Sequence, residues 1–199
     1  HLAESGTPGP VAVVMPEDIF DQKTRINAVG PSAKASASPR TKDINALVDM
    51  ISASQRPLVL VGGALLAEAV SEEGVLSKLN TLAETYALPI CPTHRRPHLF
   101  DSHHPNYGGY MGIRVPGPLI DEMKKADLLI ALGERLTDTV SQSYTFPTAP
   151  QPQIPLVHVW PDANEVGRVW HPMLGIPASP KEVIEALLDR KTPKITKER

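Results

Sequence analysis

Apolar positions along this chain alternate between two periods. Ile44, Leu47, Val48 and Ile51 fall at the i, i+3, i+4, i+7 spacing of one helix face, which predicts a helix over 42–54 with Thr41 as its N-cap. The run Leu58-Val-Leu-Val61 is short, β-branched and wholly apolar, as in a strand buried on both faces. It ends in Gly62-Gly63 and opens into a second helical pattern. Val75, Leu76, Leu79, Leu82 and Ala83 mark the face of a further helix. Leu88-Pro-Ile-Cys91 reads as a short strand whose proline suits an edge. A long connection over 92–115 precedes a short helix at 117–125 and a strand at 127–132. After a proline-rich loop come a strand at 154–160 and a short helix near 163–169. Ser179-Pro-Lys-Glu182 is a capping box with proline in the first helical position, opening a last helix through Val183, Leu187 and Leu188. Strands and helices in this alternation predict an α/β fold, a parallel sheet covered on both faces.

The first 40 residues break the pattern. Pro10-Val-Ala-Val-Val-Met15 has strand composition, yet no second strand lies nearby in sequence. From Asp21 to Arg40 the chain turns to Ser, Ala, Lys, Gly and Pro, the chemistry of a linker. The expected organisation is therefore a terminal strand region of another domain at 1–20, a linker at 21–40, one α/β domain at 41–190 and a tail at 191–199, the whole being a piece of a longer polypeptide.

Composition narrows the setting. Net charge is -2 over 199 residues, with no basic stripe of the kind nucleic acid requires. One cysteine, Cys91, precludes an internal disulfide and suits a reducing, cytoplasmic compartment. No apolar run approaches the roughly 20 residues of a membrane span, and the opening residues are mixed and polar. The 21 prolines border strands or sit in connections, where they stiffen loops.

Candidate chemistry collects after the strands. Open α/β sheets place ligands beyond the carboxyl ends of their strands. Gly62 and Gly63 follow the first strand and allow close backbone approach to a phosphate, or simply a tight turn. Arg95 and Arg96 follow the second, and guanidinium forks bind phosphate or carboxylate. Gly133, Glu134 and Arg135 follow the strand at 127–132, and Asp162 follows Trp160. Trp160 and Trp170 frame the segment 162–168, where an adenine can stack or a core can close. Cys91, His94, His98, His103 and His104 suggest a metal cluster at first sight, but their irregular spacing and the lack of a second cysteine argue against one. Neither a Gly-x-Ser-x-Gly elbow nor a Gly-x-x-x-x-Gly-Lys-Ser/Thr loop occurs.

Five segments in order carry a resemblance. Gly6-Thr-Pro-Gly-Pro-Val-Ala-Val-Val-Met-Pro-Glu-Asp18 resembles the last strand of the N-terminal, pyrimidine-binding domain of thiamine-diphosphate-dependent enzymes of the acetolactate synthase type. The segment from Arg56 to Leu65 is similar to the first strand of their central domain. His103-His-Pro-Asn-Tyr-Gly108, Ala126-Asp-Leu-Leu-Ile-Ala-Leu-Gly-Glu-Arg-Leu136 and Val157-His-Val-Trp-Pro-Asp-Ala-Asn-Glu-Val-Gly167 resemble three further family motifs.

The resemblance implies a Rossmann-like central domain, three layers α/β/α around a parallel sheet of about six strands. It implies a carboligase or 2-oxoacid decarboxylase, a transferase or lyase. Thiamine diphosphate and magnesium are held there by the flanking N- and C-terminal domains of the same polypeptide, in a homodimer or homotetramer. The Gly-Asp-Gly motif for the magnesium diphosphate is not in this chain, which alone is expected to be inactive and not to bind thiamine diphosphate. Central domains of the family bind flavin adenine dinucleotide, another nucleotide, or nothing. Here Arg95-Arg-Pro-His98 stands where flavin-binding relatives have a glycine-containing loop, Trp160 replaces the first aspartate of an Asp-x-Asp pair, and Ala163 replaces a proline. Those departures argue against flavin. Gly62, Gly63, Arg95, Arg96, Gly133, Arg135 and Asp162 are the cofactor-binding candidates, for an anionic nucleotide such as ADP. A non-catalytic nucleotide-binding or scaffold module of a flavoprotein-like assembly is the alternative. Limited proteolysis is expected to cut first between Asp21 and Arg40; earlier cutting within 55–90 would contradict this boundary.

Overall fold

The computed structural model describes residues 1–27, 29–31, 33 and 36–190. Among them the elements are α1 (Thr41–Ala53), β1 (Pro57–Val61), α2 (Gly63–Ser71), α3 (Val75–Tyr86), β2 (Ile90–Pro92), α4 (Gly117–Met123), β3 (Leu128–Leu132), β4 (Leu156–Trp160), β5 (Leu174–Pro177) and α5 (Pro180–Leu188). The five strands form one sheet in the order β2-β1-β3-β4-β5, every pair parallel. Val61 lies opposite Leu132 and Pro92, and Leu132 opposite Val159, so β1, β2, β3 and β4 end at one level. The chain reverses direction across the sheet between β1 and β3. That is the switch point at which open sheets leave a crevice.

Alternate strand residues divide the core. Val59, Val61, Ile130, Leu132, Val157, Val159 and Ile176 face a cluster with Ile44 and Leu47 of α1, Leu79 and Leu82 of α3 and Ile184 of α5. Leu58, Leu60, Leu129, Ala131 and Leu156 face the other side, with Met123 of α4 and Met111, Leu136, Phe146 and Trp170 from loops. The α/β prediction holds, with a sheet of five strands instead of about six. β2 is an edge strand, as Pro89 suggested.

Four local expectations are corrected. Residues 10–15 form no strand; Val13 and Val14 are exposed, because no sheet edge lies beside them. Residues 163–169 form turns, not a helix: Glu165 N–H bonds Asp162 O at 3.1 Å and Arg168 N–H bonds Glu165 O at 3.2 Å, and Gly167 enters the left-handed region. Arg40, not Thr41, occupies the N-cap of α1, and its guanidinium pairs with Asp43 at 2.7 Å. The capping box at α5 is half formed. Ser179 accepts from Glu182 N–H at 3.2 Å, while Ser179 N–H donates to Ala37 O at 2.8 Å and not to the Glu182 side chain. β5, which the periodicity missed, is a four-residue edge strand interrupted by Gly175 and ending in Pro177. The expected tail at 191–199 lies outside the described residues.

Asp127, at the head of β3, ties the turn between α1 and β1. It accepts from the Ser54 hydroxyl and from the N–H groups of Gln55 at 2.8 Å and Arg56 at 2.9 Å. Burial raises its carboxyl, but the hydrogen bonds outweigh that and hold it below its ordinary value. Its contribution is therefore present above the ordinary carboxylate range and lost as pH falls through the lowered value. Asp127→Ala should cost about 1–2 kcal/mol in urea unfolding at neutral pH, and the difference should shrink in acid; an unchanged midpoint would show that the turn does not depend on this side chain.

Candidate functional site

A cavity of about 350 Å³ opens at the carboxyl ends of β1 to β4. Gly63, Ala64 and Ala67 at the start of α2 form one wall. His94 and Arg96 enter from the loop after β2; Glu134, Arg135 and Thr137 from the segment after β3; Trp160 and Pro161 from the end of β4. Gly6, Thr7 and Pro8 cross the remaining side, held where Trp160 Nε1–H donates to Thr7 Oγ1 at 3.0 Å.

Glu134 is the buried charge-bearing group of this crevice. Its Oε2 lies 2.5 Å from Thr93 Oγ1, and its Oε1 accepts from Leu136 N–H at 3.0 Å. Burial raises its carboxyl above the ordinary value. The Thr93 hydroxyl, the N–H groups of Leu136 and Arg135 and the Arg96 charge oppose that rise without cancelling it. His158 of β4 is buried and donates from Nε2 to Glu134 O at 3.2 Å, and burial lowers its pKa, so the ring stays neutral and pins the backbone below the crevice.

The candidates separate into two groups. Gly63, Arg96 and Arg135 line the cavity; Gly62, Arg95, Gly133 and Asp162 do not. A Cβ on Gly62 would collide with the Glu134 carboxylate and come within 2.8 Å of its Cα, so the bare face of this glycine meets Glu134. Gly133 has φ +68, and a Cβ there would lie 2.8 Å from both Leu65 N and Pro180 Cγ. Its carbonyl accepts Ala64 N–H at 3.0 Å, which satisfies an amide at the head of α2 from within the chain. Asp162 Oδ1 accepts from Asn164 N–H at 2.9 Å and closes its own turn. Arg95 is exposed in the left-handed region, its N–H donating to Tyr110 Oη at 3.0 Å.

Two guanidinium groups face the crevice. Arg96 donates from Nη1 to Arg95 O at 2.9 Å and lies over Gly63. Arg135 pairs with Glu165 at 3.0 Å and stands 5.9 Å from the centre of the Trp160 ring. The Nε atoms of both are buried and without a hydrogen-bond partner among the described residues. Sequence reasoning named Glu134 only as a polar strand end and missed Thr93 and Thr7, because the contacts that matter join distant segments.

The histidines and the cysteine do not converge. Cys91 is buried with its Sγ–H donating to Gly108 O at 2.9 Å, and burial pushes the thiol up to about 12. His103 pairs with Asp101 and His104 with Glu84, each at 3.2 Å. Among the described residues no three such groups are placed to hold a metal ion, and no helix is long and apolar enough to cross a membrane.

A parallel sheet with helices on both faces and a polar crevice at its switch point defines a doubly wound α/β domain. The chain belongs to the family described as thiamine pyrophosphate enzyme, central domain, which matches residues 44–187. It is similar to the acetolactate synthase of Mycobacterium leprae, 29% identical over 193 residues that cover 94% of this chain and 29% of that protein. It is also similar to the acetolactate synthase large subunit of Corynebacterium glutamicum, 28% identical over 95% of this chain and 30% of that one. The chain thus spans about three-tenths of the length of these relatives. A solved structure from Mycobacterium smegmatis, provisionally described as a thiamin diphosphate-dependent enzyme, shares the fold, with a TM-score of 0.72 over 97% of this chain and 36% of that one at 16% identity.

The raised Glu134 carboxyl has a stability consequence. A carboxyl whose folded pKa exceeds its unfolded value destabilises the fold as pH rises through that window, here upward from the ordinary 4.5. Glu134→Gln should therefore gain in melting temperature relative to the parent sequence as pH is raised from 4.5 towards neutrality. A constant difference across that range would show that Glu134 is ionised normally.

Proposed function

We propose that this chain is the central domain of a thiamine-diphosphate-dependent carboligase or 2-oxoacid decarboxylase of the acetolactate synthase type. What carries the reading is the family match over 44–187 together with alignment along 94% of the chain to acetolactate synthases. Residues 1–20 then end a pyrimidine-binding domain, 21–40 link it to the α/β domain at 41–190, and the thiamine chemistry resides in flanking domains of a cytoplasmic homodimer or homotetramer. When bound there, thiamine diphosphate supplies the carbanion chemistry and Mg²⁺ anchors its diphosphate. This chain contributes the sheet that spaces the two domains.

The crevice is read as a site for an anionic nucleotide such as ADP. Arg96 and Arg135 offer guanidinium groups, Gly63 leaves room beside Arg96, and Gly62 and Gly133 set the turns that bring Glu134 and the start of α2 to the cavity. Arg95 and Asp162 do not line the cavity: Arg95 is exposed, and the Asp162 carboxylate closes its own turn. Flavin fits poorly. A volume of about 350 Å³ is at the lower end of ligand pockets, and Trp160 at the end of β4 takes the space an isoalloxazine ring would need.

The full-length polypeptide with thiamine diphosphate, magnesium and pyruvate should release carbon dioxide or form a new carbon–carbon bond. This chain alone should do neither and should not bind thiamine diphosphate at micromolar concentration in calorimetry. The purified full-length protein should be colourless; copurifying flavin near one per chain would overturn the reading of the crevice. Arg135→Ala should weaken ADP binding by about tenfold or more, the loss of one charge-assisted contact, and an unchanged affinity would move the site elsewhere.

A further inference from the structure

We infer that Glu134 is an internal competitor for the anion site, so that ligand anions bind this crevice with uptake of a proton on the Glu134 carboxyl. The inference rests on the crevice being an anion site and adds how its occupancy is governed.

The geometry at Thr93 carries it. Thr93 Oγ1 lies 2.5 Å from Glu134 Oε2 and 3.0 Å from Val61 O. A hydroxyl has one proton to give. If Glu134 is ionised, Thr93 serves only one of these two acceptors. If Glu134 carries a proton, its O–H donates to Thr93 Oγ1 and the Thr93 O–H donates to Val61 O, so both contacts are hydrogen bonds. The neutral carboxyl completes the chain, and the burial described above favours the same form.

The surrounding charges make that proton matter to a ligand. The Glu134 carboxyl is met by the charge of Arg96 from the loop after β2 and by the Arg135 N–H beside it; His94 lines the same crevice, and the neutral His158 from β4 holds the Glu134 backbone carbonyl. Glu165 already holds Arg135. With Glu134 ionised, its charge opposes that of Arg96, while Arg135 is engaged by Glu165, which Arg168 shares, and an incoming phosphate meets the negative charge of Glu134. With Glu134 protonated, Arg96 is left without a carboxylate, and its buried Nε has no other partner among the described residues. The positive charge open to an anion is then greater by one.

The test is calorimetry of ADP with the full-length polypeptide and its Glu134→Gln variant. Gln keeps the shape of the side chain and removes only its charge. The unaltered protein should bind ADP more tightly as pH falls from mildly alkaline to mildly acid, with a slope of at most about tenfold per pH unit. The heat in two buffers of different ionisation enthalpy should show net proton uptake. The variant should bind more tightly at alkaline pH and lose most of the slope, the remainder being the titration of the ADP phosphate, which is common to both proteins. Equal affinity and equal slope in the two proteins, or no proton uptake by the unaltered one, would overturn the inference while leaving the crevice as a nucleotide site. Absence of ADP binding to either protein at every pH would sink the nucleotide reading, and the coupling with it. The proton-uptake measurement needs no variant, so a failure of Glu134→Gln to fold does not remove the test.

Discussion

The close approach of the ends of β1 and β3 is the constraint on which the rest of the domain depends. These strands pair in parallel from Pro57 opposite Leu128 to Val61 opposite Leu132, and the chain beyond each must turn away within a residue or two. Gly62 permits this by presenting no Cβ to Glu134, and Gly133 by adopting a left-handed conformation against the first turn of α2. Both glycines are thus used on the inside of the elbow. The same turn lays the Glu134 carboxylate beneath the crevice, and an unpartnered buried charge there would be costly. Thr93 and the N–H of Leu136 meet it instead. Packing and electrostatics of the site are therefore fixed by one backbone geometry.

Legibility in the sequence follows from how local each determinant is. β1 and β3 are continuous apolar runs closed by glycine, buried on both faces, and their composition alone defines them. β5 is different: Leu174-Gly-Ile-Pro177 is half-buried at an edge, where a glycine and a proline cost little because one side of the ladder is empty. Residues 10–15 show the converse case. Their composition is that of a strand, but composition does not supply a neighbour. At the site, strand-end position was enough to select Arg96 and Arg135. It could not separate Arg95 from Arg96, because the left-handed turn at Arg95 sends adjacent side chains to different surroundings. The partner of Arg135 is 30 positions away, and Glu134 meets Thr93 across 41, distances at which single-sequence patterning carries no signal.

The two faces of the sheet are covered unequally, and this bears on where variation can be tolerated. Helices α1, α3 and α5 close one face around a continuous aliphatic cluster. The opposite face is closed by α4 and by long loops that bring in Met111, Phe146 and Trp170. Thr137 and Val140, from one of those loops, also line the crevice. Loops on a rigid sheet change more freely than helices packed into its core. The crevice therefore has one wall held by packing, the α2 elbow, and one wall built from a loop, the segment after β3.

Charge balance decides what such a crevice does with its ligand. Arg135 is engaged by Glu165, which also meets Arg168 at 3.3 Å, so this guanidinium is oriented and partly neutralised before any anion arrives. Among the described residues Arg96 has no carboxylate ion-pair partner, only the field of Glu134. The two arginines are thus unequal: Arg135 is held by Glu165 and lies 5.9 Å from the centre of the Trp160 ring, while the charge facing Arg96 is that of one buried carboxyl. A dinucleotide would need backbone amides at the glycine elbow, and Gly133 O and Glu134 already occupy that surface. A single terminal phosphate needs only the guanidinium pair. On the proposed reading of the crevice, the arrangement therefore suits an anion held by side chains better than a cofactor laid along the backbone.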